Sequence, residues 1–129
     1  MAIYSGSTPK FLIKIKDNQG IQLDPSNIAE VTEVQIIIFN AITGVTVGRF
    51  YLRVLPTLPA GETWSQLTTK NLGSDDVRVL LVLTAAQTQL ADGNGNKIQI
   101  KTTVPDTEVT GGRITIKTGI FSEIIKSKS

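Results

Sequence analysis

Residues 10–16 read KFLIKIK, and the order of apolar and polar side chains in this stretch decides the fold class. Phe11, Ile13 and Ile15 alternate with lysines and with Leu12. Because successive side chains of an extended chain point to opposite sides, a period of two is typical of a β-strand with one face toward a core. We therefore predict a strand over residues 10–16, with Phe11, Ile13 and Ile15 facing inward.

Turn signals such as DNQG at residues 17–20 separate this strand from further strand-like stretches. The predicted strands are residues 10–16, 21–23, 33–39, 45–55, 77–83, 97–104 and 113–118. Gly48 is expected to permit a β-bulge. On the later strands, the residues expected to face inward are Phe50, Leu52, Val54, Ile98, Ile100, Val104, Ile114 and Ile116. Many short strands separated by turns are typical of a sandwich or a barrel.

Residues 56–76 (PTLPAGETWSQLTTKNLGSDD) do not continue this pattern of short strands separated by turns. A structureless loop of that length is uncommon in a compact domain, so we predict a weak edge strand within residues 62–68. Pro56 and Pro59 fit an edge or a loop, because proline cannot donate to a strand ladder. The segment also contains Trp64, the only tryptophan, which is either a lid over one end of the core or an anchor for a ligand or partner.

The stretch LTAAQTQLADGNGN at residues 83–96 is polar and rich in glycine. Thr84 and Gln87 have the spacing of a capping box, in which an N-cap hydroxyl and a side chain three residues later exchange hydrogen bonds with the backbone. We therefore predict a helix of one or two turns that ends before Gly93, with Leu90 folding back onto the end of the sheets.

A metal-binding loop is the alternative for this stretch. Asp92, Asn94 and Asn96 alternate as the oxygen ligands of a calcium loop do, but the twelfth position holds Thr103 where such a loop needs a bidentate glutamate. The sequence therefore favours a structural corner, with no metal and no cofactor.

The composition of the chain argues against several classes of function. The 129 residues suit one domain spanning 1–129, and the net charge is only +2. The basic residues form no stripe with interleaved aromatics, so no nucleic-acid partner is expected. The longest uncharged run, residues 34–48, contains polar residues and cannot span a membrane. The amino terminus lacks the pattern of a secretory signal.

Catalytic chemistry has little support. Cysteine and histidine are both absent, which excludes disulfides, thiolate chemistry, the usual zinc sites and histidine-based mechanisms. Ser7 and Lys10 have the Ser-x-x-Lys spacing, but Pro9 and the following strand do not fit the helix start that this motif needs. Asp75 and Asp76 are adjacent carboxylates, which usually diverge in a turn. We predict that the chain is not an enzyme.

Five stretches, in order, resemble the immunoglobulin-like domain at the amino terminus of tailed-phage baseplate upper proteins and of related small virion proteins. They are FLIKIKDNQGIQL (11–23), VQIIIFN (34–40), VRVLLVLTAAQTQLADG (77–93), KIQIKTTVPD (97–106) and RITIKTGIF (113–121). The resemblance implies an all-β fold: an immunoglobulin-like antiparallel β-sandwich of about seven strands, with one short helix between strands E and F.

The resemblance also implies a function. Baseplate upper proteins continue into long receptor-directed regions, whereas this chain stops at Ser129. We therefore expect a structural component of a virion, made in the host cytoplasm and present in many copies or as a homo-oligomer. Its partners would be other virion structural proteins of a baseplate, tail or head–tail joint. The alternatives are a capsid decoration or fibre-anchoring protein and, in another class, a carbohydrate- or surface-binding adhesin module.

The expected strand order predicts an interface. Residues 33–39 and 77–83 would be adjacent in one sheet, with residues 10–16 beside them. The predicted inward residues are Phe11, Ile13, Ile15, Val34, Ile36, Ile38, Val77, Val79, Leu81 and Leu83. The apolar residues left on the outer face, together with Trp64, form the predicted interface: Leu12, Ile37, Phe39, Trp64, Leu80 and Val82. An outer face in water should be polar, so the cover is either a neighbouring subunit or residues 56–76 or a chain terminus.

Overall fold

The computed structural model describes residues 3–4, 6–17, 19–53, 63–90, 95–120 and 125–126. The protein is mostly β, with 49% of residues in strands and one short helix, which confirms the predicted all-β class. The elements are β1 (Ile3–Tyr4), β2 (Lys10–Ile13), β3 (Glu33–Asn40), β4 (Thr46–Leu52), β5 (Ser65–Gln66), β6 (Thr68–Asn71), β7 (Val77–Val82), α1 (Ala85–Leu90), β8 (Asn96–Val104), β9 (Arg113–Ile120) and β10 (Ile125–Lys126).

The strands form two main sheets and a small pair. The three-stranded sheet has the order β2-β7-β6, and the five-stranded sheet has the order β5-β4-β3-β8-β9. Neighbours are antiparallel in both sheets except β4 and β5, which are parallel. The two-residue strands β1 and β10 form a separate parallel pair.

One hydrophobic core lies between the two main sheets. Ile36 and Ile38 on β3 and Val79 and Leu81 on β7 are fully buried and belong to a single cluster, so the sheets pack face to face. Every residue predicted to face inward from residues 10–16, 33–39 and 77–83 is buried or packs against this cluster, which confirms that set. On these strands, the alternation of apolar and polar residues therefore predicts correctly which face of the strand is turned toward the core.

The predicted neighbours of β3 were wrong. Strand β3 pairs with β4 and β8, whereas β7 pairs with β2 and β6 in the other sheet. The predicted place of residues 10–16 beside β7 is confirmed only for residues 10–13, with Leu12 opposite Leu80. Alternation specifies which face of a strand is inward, but the hydrogen-bonding partner is chosen by long-range contacts.

The predicted orientation of β9 was also wrong. Ile114 and Ile116 lie opposite Thr103 and Lys101, on the outer face of the five-stranded sheet, and their side chains are 55% and 57% exposed. The alternate residues Thr115 and Lys117 share the inner face with Ile100. Because β9 is the last strand of its sheet, its inner face borders a solvated groove, and polar residues occupy it.

Gly48 lies at the predicted β-bulge. Ile38 pairs with Gly48 and Phe39 pairs with Thr46, so Val47 is the extra residue. A Cβ at Gly48 would lie 2.7 Å from Nε2 of Gln87 and 2.8 Å from Cε2 of Phe50. Glycine is therefore needed at position 48 because the Gln87 amide of α1 and the Phe50 ring of the core leave no space for a Cβ.

Residues 63–76 contain two strands. The weak edge strand predicted within residues 62–68 is found as β5, whereas residue 62, Pro56 and Pro59 lie outside the described residues, as does Val54. Strand β6 was not predicted, because its sequence TTKN has no apolar alternation and only Thr69 is half-buried. Pairing with β7 along its whole length places β6 in the sheet.

The corner after β7 contains the predicted capping box. The Thr84 backbone N–H donates to Gln87 Oε1 at 2.9 Å, and the Gln87 N–H donates to Thr84 Oγ1 at 3.2 Å. The prediction for Leu90 was wrong, because its side chain is 54% exposed. Ala85 and Thr88, three residues apart, share the inward face of α1, so Leu90 points away.

Candidate interaction surfaces

The predicted interface is divided between the two sheets. Leu12, Leu80 and Val82 lie together on the outer face of the three-stranded sheet and are called the Leu12 patch below. Leu12 is 38% exposed, Val82 is 40% exposed, and Leu80 between them is half-buried. Polar side chains lie around the patch: Lys10 is opposite Val82 and Thr68 is opposite Leu80, while Lys70 is opposite Arg78, which is paired with Asp76.

Ile37 and Phe39 lie on the outer face of the five-stranded sheet, so they do not join the Leu12 patch. Both are half-buried. Ile37 is flanked by Arg49 on β4 and Gln99 on β8, and Lys97 is opposite Phe39. The aliphatic stems of such long polar residues cover apolar neighbours while their heads stay in water.

Ile114 and Ile116 form, on strand β9, an apolar surface that the sequence analysis missed. They are more exposed than either Leu12 or Val82, and they lie on the outer face of the edge strand β9. The alternation of residues 113–118 contained the signal, since it predicted that these two isoleucines share one face. Only the choice of face was wrong.

Trp64 lies directly before β5, at the edge of the five-stranded sheet opposite to β9. The residue is half-buried, and its indole Nε1 is buried with no hydrogen-bond partner among the residues that the structure describes. Trp64 therefore belongs neither to the Leu12 patch nor to the surface of β9.

Asp76, the second of the two adjacent carboxylates, is held by two neighbouring side chains. Asp76 forms an ion pair with Arg78, with Oδ2 and Nη2 2.9 Å apart, and its Oδ1 accepts a hydrogen bond from Gln22 Nε2 at 2.9 Å. The hydrogen bonds from Arg78 and Gln22 lower the pKa of Asp76 from its ordinary value of 3.8 to about 2. A carboxylate held ionised in this way fastens the turn and is a poor proton acceptor.

The proposed calcium ligands are only partly described. Asp92 and Asn94 lie outside the described residues, and Asn96 is 4% exposed, where its Oδ1 accepts a hydrogen bond from Asn40 Nδ2 at 3.4 Å. Among the described residues, no group of three acidic, histidine or cysteine side chains could hold a metal ion. The helix in the described part of the chain is also too short to cross a membrane.

A groove runs along the inner face of β9 and is called the β9 groove. Its wider part, about 600 Å³, lies between the turn after β2 and the turn before β9, and includes Asp17, Leu23, Arg113 and Thr115. A second recess of about 100 Å³ shares Thr115 with the wider part and is lined by Lys14, Lys16 and Lys117, together with Ile15, Ile100 and Thr102. The recess therefore combines apolar side chains with three lysines, whereas the wider part has one acidic and one basic residue, Asp17 and Arg113.

Comparisons with protein-family models, with curated proteins and with solved structures found no match for this chain. The resemblance to phage immunoglobulin-like domains therefore rests on the five stretches of sequence.

Proposed function

We propose that the chain is an immunoglobulin-like β-sandwich. In that fold, strands B, E and D lie in one sheet, and strands C′, C, F and G lie in the other. The proposal is supported by the orders β2-β7-β6 and β4-β3-β8-β9, the second within a five-stranded sheet that also contains β5. When these orders are assigned to the two series, β7 is strand E, β8 is strand F, and α1 is the helix between them. On this assignment β3 would be strand C, which does not pair with strand E, in keeping with its observed pairing with β4 and β8.

We further propose that the protein is a non-enzymatic structural component of a tailed-phage virion, acting through repeated contacts with other virion proteins. The observation that carries this proposal is the Leu12 patch. An antiparallel sheet that faces water should be polar outside, whereas Leu12, Leu80 and Val82 expose apolar surface beside polar and charged side chains. An apolar centre with a polar rim is the usual anatomy of a protein interface.

The virion role is tested first by a mass-spectrometric inventory of purified particles of the phage that encodes the chain. We expect the protein in many copies per particle. Particles that lack it would refute the virion role.

The surface is tested with the double variant Leu12→Lys, Val82→Lys. We expect a monomer that unfolds cooperatively but is missing from particles, because two lysines in an apolar contact leave buried charges unpaired. The matched control is Gln99→Lys with Thr118→Lys, a cross-strand pair on the outer face of the other sheet, and it should still be incorporated. If only the control fails to enter particles, the contact lies on the five-stranded sheet. Loss of cooperative unfolding in the first variant would mean that the patch is core.

A further inference from the structure

Strand β9 is a long, open sheet edge. It contains eight residues, Arg113–Ile120, and within the described part of the chain it pairs on one side only, with β8. Along such an edge, alternate residues direct their N–H and C=O groups away from the sheet, where another strand can pair with them. Natural proteins usually keep such edges short or cover them. An open edge of this length is therefore suited to strand addition.

The two faces of β9 specify different neighbours. On the outer face, the exposed Ile114 and Ile116 would be covered by apolar side chains of an added strand. On the inner face, the added strand would lie over the β9 groove, beside Lys16 and Lys117. Neither lysine has an ion pair among the described residues, whereas the Arg113 Nε is already 2.7 Å from Asp106 Oδ2. The part of the inner face beside Lys16 and Lys117 therefore favours carboxylates, whereas Asp17 lines the wider part of the groove.

A second copy of β9 does not meet these requirements. The strand sequence RITIKTGI contains no acidic residue. Antiparallel pairing of two copies would cover the isoleucines but would bring further basic side chains to the lysines of the groove. Lysine on an edge strand is a common device against such self-pairing.

We propose that β9 binds an extended segment of a partner protein in which apolar and acidic residues alternate, by strand addition to the five-stranded sheet. The apolar residues of the segment cover Ile114 and Ile116, and its acidic residues face Lys16 and Lys117. This inference concerns a different surface from the Leu12 patch, so it stands or fails independently of the virion role.

The test uses the whole chain and two fluorescein-labelled peptides as long as β9, one alternating valine and glutamate and the other alternating valine and lysine. We expect saturable binding of the glutamate peptide by fluorescence anisotropy, at least about tenfold tighter than that of the lysine peptide. The double variant Lys16→Glu, Lys117→Glu should reverse this preference. The control Lys70→Glu, Lys97→Glu changes the net charge equally, away from the groove, and should leave the preference intact.

Hydrogen exchange measured by NMR separates strand addition from simple charge attraction. In the free protein, we expect slow and fast amides to alternate along β9, because only the N–H groups directed to β8 are bonded. The glutamate peptide should slow exchange of the fast set. The proposal is overturned if every β9 amide is already slow in the free monomer, or if the fast amides slow with protein concentration alone, which would identify a second copy. Peptide binding that leaves β9 exchange unchanged overturns it as well.

Discussion

Gly48 shows how a single missing side chain permits the packing of two elements. The bulge brings its Cα against the Phe50 ring and the Gln87 amide, so that a methyl group would meet both. The amide end of Gln87 could move, but Phe50 is 3% exposed and is held by the core. We expect Gly48→Ala to lower the free energy of unfolding by about 1–3 kcal/mol, the usual cost of overpacking a core. Urea denaturation measures it.

Gly119 provides the control. It lies on β9, has nothing within 4 Å of an added Cβ, and does not have a left-handed backbone. Gly119→Ala should therefore leave stability unchanged or raise it slightly, because alanine reduces the freedom of the unfolded chain. Equal losses in both variants would show that the loss at position 48 does not come from lack of space.

At the residue scale, the sequence predicted the β-bulge at Gly48 but not the hydrogen bonds of the buried Thr88. A glycine within a strand is a known signal for a bulge. Thr88 is fully buried, and its Oγ1 accepts a hydrogen bond from the Gly6 N–H and lies 2.9 Å from the Ser7 carbonyl oxygen, which fastens the amino-terminal segment to α1. A threonine in a short polar helix gives no sign of a partner more than eighty residues away.

At the element scale, α1 depends on its first residues. It has six residues, too few to be stable without caps and packing. Thr84→Ala removes the hydroxyl that accepts the Gln87 N–H, and we expect it to lower the free energy of unfolding by about 1 kcal/mol. Thr84→Ser keeps the acceptor and should retain most of the stability. If alanine and serine behave alike, the capping bond contributes nothing.

The strands show which structural features the local pattern of apolar and polar residues can predict. The inward face of β3 was predicted correctly because Val34, Ile36 and Ile38 are apolar and buried. Strand β6 was missed because its pairing with β7 outweighs a sequence with no apolar alternation. On β9 the alternation was correct and the face was wrong, since apolar residues normally mark the inner face. The residues that best describe a candidate site, Ile114 and Ile116, were therefore first assigned to the core.

At the scale of the whole molecule, the assignment of strands to sheets could not be predicted from periodicity. Residues 33–39 and 77–83 have similar apolar patterns, yet the structure separates them into facing sheets. The predicted interface is divided for the same reason. Ile37 and Phe39 lie on β3 in the five-stranded sheet. Leu12, Leu80 and Val82 lie in the three-stranded sheet with β7. Outward apolar residues were recognised correctly on each strand, and their grouping into one surface depended on a pairing that does not form.

The ionisable groups determine how the whole molecule responds to pH. With no histidine in the chain, we expect stability to be nearly constant from about pH 6 to 8. Asp76 makes the free energy of unfolding vary with pH only at lower pH values. Its pKa is about 2 in the folded protein, below the ordinary value of 3.8, so its ion pair stabilises the fold fully above about pH 4. That contribution is lost as the pH falls toward 2.

Asp76→Asn isolates this contribution from those of the other carboxylates. We expect the variant to be less stable than the wild type at pH 7, and the difference to shrink between about pH 4 and 2 until the two unfold alike. Urea titrations at several pH values measure the difference directly. The neighbouring Asp75→Asn is the control, because Asp75 has no ion pair among the described residues and asparagine tolerates its φ of 61°. A stability difference for Asp76→Asn that stays constant down to pH 2 would show that its charge does not stabilise the turn between β6 and β7.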